Sequence, residues 1–539
     1  DVTELVGAIT TALADSSGAC LVLELWAAPA PETCMRILVG HADRSATTVG
    51  ALAAALRALE LPAAPPIVEV VVTDVIAPAG LPTLLAPRPG VLVIGLEMPP
   101  VYRSDRAVYP VIARALHREL AHALQRAFFE FARVQTPLRP AHFHMLGRRR
   151  TVNAVRDSDL ALADISASFD FLLAVTPINT EAAWQEFCAS GHARAPALHY
   201  RMLDVDPALV KRELYDLPLE RLEDPALAQL LHDKRRELDR QLSLLEDRDT
   251  PRFLYGSLQL YGGVEDELLA DALEILREVA PGERRPGERC NADHFVARAQ
   301  TELAHYQALL PELTTKICVR ADVSSLIVSH GDMLVPATLD VPAHRVEALL
   351  QHELGTHVVT YANGSAQPLR VFASGLAGYE SLQEGLATFV EFLVGGLDAA
   401  RLRLIAARVV AVRRLTDGVS FVDVVAELTD QHRLSLRSAF NIAVRVFRGG
   451  GLTKDAIYLR GLSQLLGYLR DGGDIRPLLV GKLALDQVPI VEELVRREVL
   501  RGPALIPRWL DAPHTQLGLA RAAAGLRVLD LSSGTESIA

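Results

Sequence analysis

Cysteine is scarce in this 539-residue chain: there are five, Cys20, Cys34, Cys188, Cys290 and Cys318, an odd number with no C-x-x-C spacing. That excludes a disulfide framework and a thiolate zinc site, and it fits a reducing, cytoplasmic setting. Aromatic residues make up only 5%, too few for the base-stacking platforms of single-strand binders. Positive charge is outweighed, leaving a formal net charge of -11, so no nucleic-acid partner is expected. Long hydrophobic runs are missing too. In the apolar first hundred residues the longest stretch between charges, Val75 to Pro87, is too short and too proline-rich to span a bilayer, and no membrane partner is expected. Glycine (35) and proline (31) stand at the ordinary globular share, which excludes collagen-like and disordered classes. No period of roughly 20 to 50 residues recurs, so a solenoid is not expected. The chain opens at Asp1 with neither a Met nor a basic-then-apolar leader, consistent with a trimmed N-terminus.

What is present is a soluble chain, 50% apolar, long enough for about two to four structural units. In residues 1–150, Cys20 to Trp26 (CLVLELW), Val68 to Thr73 (VEVVVT) and Val91 to Leu96 (VLVIGL) read as buried strands between helical stretches, an α/β layer of unknown role. A periodic helix follows from Tyr109 to Gln135 and ends at Pro137 and Pro140. From 151 to 507 the pattern is mainly helical, with β elements expected at Phe253 to Tyr261 (FLYGSLQLY) and between Ile317 and Val335. Residues 508–539 read as a C-terminal tail, polar from Ser532 to Ala539. Nothing fixes the oligomeric state.

Several polar clusters have ordinary explanations. His117 and His122 flank Glu119 on the long helix without a further ligand, as surface residues do. His142 and His144 alternate as in some metal sites but lack a third donor nearby. Arg148 to Arg150 reads as a solvated loop. Gly449 to Gly451 is not followed by Gly-Lys-Ser/Thr and is no phosphate loop.

The chemistry lies at His352 to His357, HELGTH, in a helical pattern that begins after Pro342. Two imidazoles for a metal, with Glu353 between them to handle the proton of an activated water, is zincin logic. The spacing is one residue longer than usual. On a regular helix, positions i and i+5 diverge by about 140°, against about 40° for i and i+4. Both rings reach one ion only if the helix carries an extra residue, and Gly355 lowers the cost of such a π-bulge. With 16 His in the chain, chance supplies only about 0.03 such hexapeptides. A second helix, Ala377 to Val394, puts Glu380, Glu384 and Glu391 on one face, costly unless a cation meets them. Glu384 is the expected third ligand because Gly385 beside it permits close backbone approach. Glu380 is then expected to orient an imidazole N–H, and Glu391 to sit solvated or at the core edge. Two histidines and a carboxylate leave zinc an open position, the catalytic arrangement, with one zinc expected per chain. The β segments ahead of this helix offer an edge to which an extended peptide could add.

HELGTH, followed by Asn363-Gly364, Gln367-Pro368 and Gln383-Glu384-Gly385-Leu386-Ala387, resembles the QEGLA-motif family of bacterial flavohaemoglobin-expression-modulating proteins, relatives of the microtubule-associated tyrosine carboxypeptidase. The resemblance runs from about Thr151 to Pro507 and includes Arg445 to Gly449 (RVFRG) and Thr453 to Gly461 (TKDAIYLRG). It implies an α/β N-terminal unit followed by a mainly helical α+β, zincin-like metallopeptidase domain, with His352, His357 and Glu384 as zinc ligands and Glu353 as base. It also implies a peptide or protein C-terminus as substrate, one ending in an aromatic residue. Tyr458 is the expected donor to the oxyanion. Arg445, Arg448, Lys454 and Arg460 are the expected carboxylate-binding cations. A non-peptide zinc amidohydrolase, or a regulatory protein with a vestigial site, is the alternative.

Overall fold

Short β-branched runs and alanine-rich helices build the first of two units, which comprises Asp1–Thr151 with Glu223–Ala226 and Glu493–Val499. The computed structural model describes residues 2–28, 34–40, 46–60, 66–78, 89–100, 108–140, 142–143, 146, 153–281, 287–321, 323 and 325–532. After α1 (Val2–Ser17), strands β1 (Cys20–Ala27), β2 (Cys34–Val39), β3 (Ile67–Val72) and β4 (Val91–Met98) form a sheet in the order β1-β4-β2-β3. The outer pairs are parallel and the central β2–β4 pair is antiparallel. Helices α2 (Ala46–Arg57) and α3 (Pro110–Gln135) close one face over a core that includes Met35, Ile37, Leu52, Leu56, Ile94, Leu96 and Ala127. Three of these strands follow from their apolar runs. β2 does not, because Arg36 interrupts its run; the charge is met by Glu97 directly opposite on β4, which also accepts from Trp26 Nε1 at 2.9 Å. His122, on α3, lies 3.2 Å from Glu493 of the same unit. His144 and Arg148 to Arg150 fall outside the described residues.

The second unit is mainly helical. The segment expected as strand at Phe253 to Tyr261 is instead helix α4 (Arg252–Tyr261). Its β-forming composition yields to a four-residue spacing that buries Phe253 and Ser257 on one face, with Gly262 ending it at positive φ. The β segment after Ile317 is a three-stranded sheet of β5 (Ile317–Arg320), β6 (Ile327–Ser329) and β7 (Asp332–Pro336), in the order β5-β7-β6. β6 and β7 form a hairpin, whereas β5 runs parallel to β7. Met333 and Val335 from this sheet share a core with Phe295, Leu350, Leu354 and Val358, so the sheet backs the helix that carries HELGTH.

That helix has three parts: α5 (Val346–His352), a π-turn over Glu353–Val358, and α6 (Val359–Ser365). Asn363 ties α6 down, donating to the carbonyls of Leu479 and Leu505 and accepting from Leu505 N. Gln367 does the same with Val480 and Arg501. The second motif lies on α7 (Tyr379–Leu393), followed by α8 (Ala399–Thr416), α9 (Leu436–Phe447) and α10 (Ile457–Arg470). Helices α7 and α10 cross at Gly385 and Gly461, where an added Cβ would lie 2.3 Å from Gly461 C or 1.8 Å from Ser381 O respectively. Only glycine permits that backbone-on-backbone approach. The stretch expected as a tail is structured as far as it is described. Arg508–Asp511 forms a 3-10 turn and Pro513–Ala523 forms α11, with Trp509 and Ala522 buried; residues 533–539 fall outside the described set.

Candidate metal centre

The π-turn supplies the extra residue that the His352-to-His357 spacing requires. Side-chain hydroxyls take up carbonyls along it: Thr356 donates to Gln351 O at 2.9 Å and Thr360 to Thr356 O at 2.8 Å. Trp509 Nε1 donates to Gly355 O at 3.1 Å. A Cβ on residue 355 would stand 2.2 Å from Gln351 Oε1 and 3.0 Å from Trp509 Cδ1, so packing also demands the glycine that eases the bulge.

The two rings end up 5.0 Å apart, centroid to centroid, and close to perpendicular. Across the α7 face, Glu384 Oε2 lies 3.8 Å from His352 Nε2. One ligand atom from each of His352, His357 and Glu384 lies within 4.8 Å of the others, so the three could hold one metal ion. Each imidazole is oriented from behind. His352 Nδ1 is 2.9 Å from Glu391 Oε1; donation there leaves Nε2 facing Glu384. His357 Nδ1 approaches Gln383 Oε1 at 3.5 Å, an oxygen held by Thr360 Oγ1 at 2.7 Å. The orienting carboxylate is therefore Glu391, not Glu380. Glu391 is fully buried rather than solvated, and it also accepts from Arg345 at 2.6 Å and Arg401 at 3.1 Å. Glu380 instead lies 3.5 Å from Lys454 Nζ.

Electrostatics suit the donor set to a cation. Burial pushes His357 down to about 4, against the pull of Glu384, so the imidazole is neutral at pH 7. Burial opposes the ionisation of Glu384, but Lys454 and the two histidines hold its carboxyl below the usual range. Glu391 is also resisted by burial, yet Arg401, the hydrogen bond with His352 and Arg345 hold it well below that range. Glu353 goes the other way, raised to about 7 by burial and, despite His352, by Glu384 and Glu391. A carboxyl near neutrality beside two imidazoles suits a base that takes and returns a proton.

The other expected residues divide. Lys454 is buried 4.0 Å from Glu384, and its Nζ stands 5.9 Å from the Tyr458 ring centroid. All four expected carboxylate-binding cations are otherwise engaged, Lys454 by Glu380 and Glu384. Arg445 grips both oxygens of Asp455, Arg448 donates to Thr176 Oγ1, and Arg460 is bound to the carbonyls of Tyr261 and Gly263 and to Glu265. Arg401 and Arg408 of α8 were not anticipated. Their seven-residue spacing puts both on one face of α8, but with Arg403, Arg413 and Arg414 on the same helix the sequence does not separate them from solvated arginines. Lys482 was missed as well; its Nζ lies over the rings of Tyr361 and Tyr379 at 5.4 and 5.7 Å.

The family model described as microtubule-associated tyrosine carboxypeptidase matches residues 185–525, a span that contains every residue of this site. No curated protein matches the chain.

Proposed function

The chain belongs to the microtubule-associated tyrosine carboxypeptidase family, and from that premise we propose that it is a zinc-dependent carboxypeptidase, removing one residue, preferentially aromatic, from a free peptide C-terminus. The observation that carries the reading is the convergence of His352, His357 and Glu384 with Glu353 between the two imidazoles on the π-turn. Two imidazoles and one ionised carboxylate form a donor set zinc accepts, with one ion per chain. Burial opposes the charged form of His352, but the hydrogen bond with Glu391 and the nearby carboxylates raise it above the ordinary histidine range, so metal binding there displaces a proton. When bound, zinc supplies the Lewis acidity that activates water and polarises the scissile carbonyl.

The chain's own groups do the rest. Glu353 takes the proton of the attacking water and returns it to the leaving amine. Glu391 and Gln383 fix the faces of the imidazoles, so little reorganisation accompanies the reaction. Tyr458, half-buried on α10 and without a hydrogen bond to its hydroxyl among the described residues, donates to the developing oxyanion. The outer edge of β6 receives the substrate backbone as an added strand. Five cysteines, none paired, accord with work in a reducing, cytoplasmic compartment.

Elemental analysis paired with peptide hydrolysis tests the proposal. Wild type should carry one zinc and Glu384→Ala none, and wild type should cleave free-acid peptides while sparing C-terminal amides. Equal zinc in both proteins would move the third ligand elsewhere. Equal cleavage of acids and amides would make the protein an endopeptidase or amidohydrolase.

A further inference from the structure

Most of the buried cations around Tyr458 have an anion or carbonyl to answer them. Arg401 has Glu391, Lys454 has Glu380 and Glu384, and Arg445 has Asp455. Arg408 is different. Its side chain is nine-tenths buried, and its Nε has no hydrogen-bond partner among the described residues, as is true of Arg401, Arg448 and Arg460; those three donate from their terminal nitrogens, and Arg408 does not. The nearest carboxylate, Asp455, stands 3.7 Å from that Nε, and both its oxygens are taken by Arg445 at 2.6 and 2.7 Å. Burial and the adjacent Arg445 push Arg408 down to about 10, and Asp455 only partly offsets them.

A buried guanidinium whose nearest carboxylate is already gripped by another arginine is expensive unless a further partner arrives. Its placement says where the partner would sit. The Arg408 guanidinium stacks 4.8 Å above the Tyr458 ring centroid. The same ring is approached by Lys454 Nζ, which is itself 4.0 Å from Glu384. Arg408 is thus linked to the metal-ligand carboxylate through two side chains, and a planar fork presented over an aromatic face suits bidentate capture of a carboxylate.

We propose that Arg408 binds the α-carboxylate of the substrate's C-terminal residue, stacked on Tyr458, and so selects chain ends over interior bonds. This rests on the carboxypeptidase reading, and it reassigns to α8 the role expected of Arg445, Arg448, Lys454 and Arg460.

The test uses the full-length zinc-loaded protein, Arg408→Gln and Arg408→Lys, with metal content and melting temperature as folding controls. Calorimetric titration with N-acetyltyrosine and N-acetyltyrosinamide should show wild type preferring the acid by about 100-fold. Arg408→Gln should abolish that preference and Arg408→Lys restore part of it. In parallel, Arg408→Gln should raise KM for a free-acid peptide with kcat largely kept. An acid-over-amide preference unchanged in Arg408→Gln would overturn the assignment, as would no preference in wild type. Should Arg408→Gln fail to fold, Arg408→Lys decides alone: a preference equal to or stronger than wild type's would overturn the charge-fork argument. Intact Arg408-dependent binding with no peptide hydrolysis by wild type would instead remove the carboxypeptidase reading and leave the anion site standing.

Discussion

Two clusters of buried charge flank the candidate metal centre and are built in opposite ways. At Glu391, one carboxylate is met by three donors, Arg345, Arg401 and His352, so every charged group there has a direct partner. At Asp455, one carboxylate faces Arg445, Arg408 and Arg448, and only Arg445 is fully answered. Neither arrangement is the cheapest way to fill a core, since well-packed apolar residues commonly do as well or better. The closed cluster aims an imidazole. The open one has a cation left over, and a surplus of one sign in a buried place marks where something of the other sign is received.

The largest effect should come from a residue that belongs to neither cluster. Glu353→Gln keeps the shape but cannot accept a proton, so kcat should drop by about 10³-fold or more with zinc content unchanged. Turnover near wild type in the metal-loaded variant would remove Glu353 as base. Next comes the closed cluster. Glu391→Gln leaves two arginines short of their carboxylate and should cost about 3–5 kcal/mol of stability by urea denaturation, together with roughly 10- to 100-fold in zinc affinity by chelator competition. Wild-type values for both would show that the triple contact is ornamental.

The comparison sharpens most on two arginines of the open cluster. Arg445→Gln strands Asp455 and should destabilise by about 3 kcal/mol. Arg408→Gln, which removes a cation held only by a 3.7 Å contact with a carboxylate Arg445 already grips, should change stability by less than about 1 kcal/mol. Reversal of that order would mean that Arg408 holds the fold and Arg445 is spare. The smallest effect concerns pH in the metal-free protein. The pKa of His357 is depressed to about 4, so its contribution to stability is fully present above the ordinary histidine value of about 6.5 and is lost as pH falls toward 4. The gap in unfolding free energy between wild type and His357→Gln should therefore narrow over that interval, and a gap that widens would contradict the neutral imidazole.

How much of this was legible beforehand varied with the kind of signal. HELGTH could be read from its spacing and Glu384 from the glycine beside it, and the π-turn followed from the angular mismatch of five residues. The roles of Glu380 and Glu391 were exchanged, since one helix face holds both and only the arrival of Lys454 on one side and Arg345 and Arg401 on the other separates them. Arg401 and Arg408 look like surface arginines in a one-dimensional reading; their burial is decided by α10 and the segment before it. β2 hid behind Arg36, whose neutralising Glu97 lies far along the chain. Helix α4 hid behind a composition that favours strands, because its side-chain period outweighs residue preference.

The π-turn has a consequence for how such a sequence can change over time. Deleting Gly355 would restore the commoner two-His spacing, HELTH. Because the π-turn takes up its extra residue locally, the shortened segment can close into regular α-helix with everything downstream in the phase it already has. Asn363 and Gln367, each tied to backbone on two other segments, would keep their partners, and only the contact of Trp509 with Gly355 O would be lost. The inserted residue is thus a removable spacer: one deletion leads to the shorter spacing with the second half of the helix still indexed to its surroundings, so both spacings should be found among descendants.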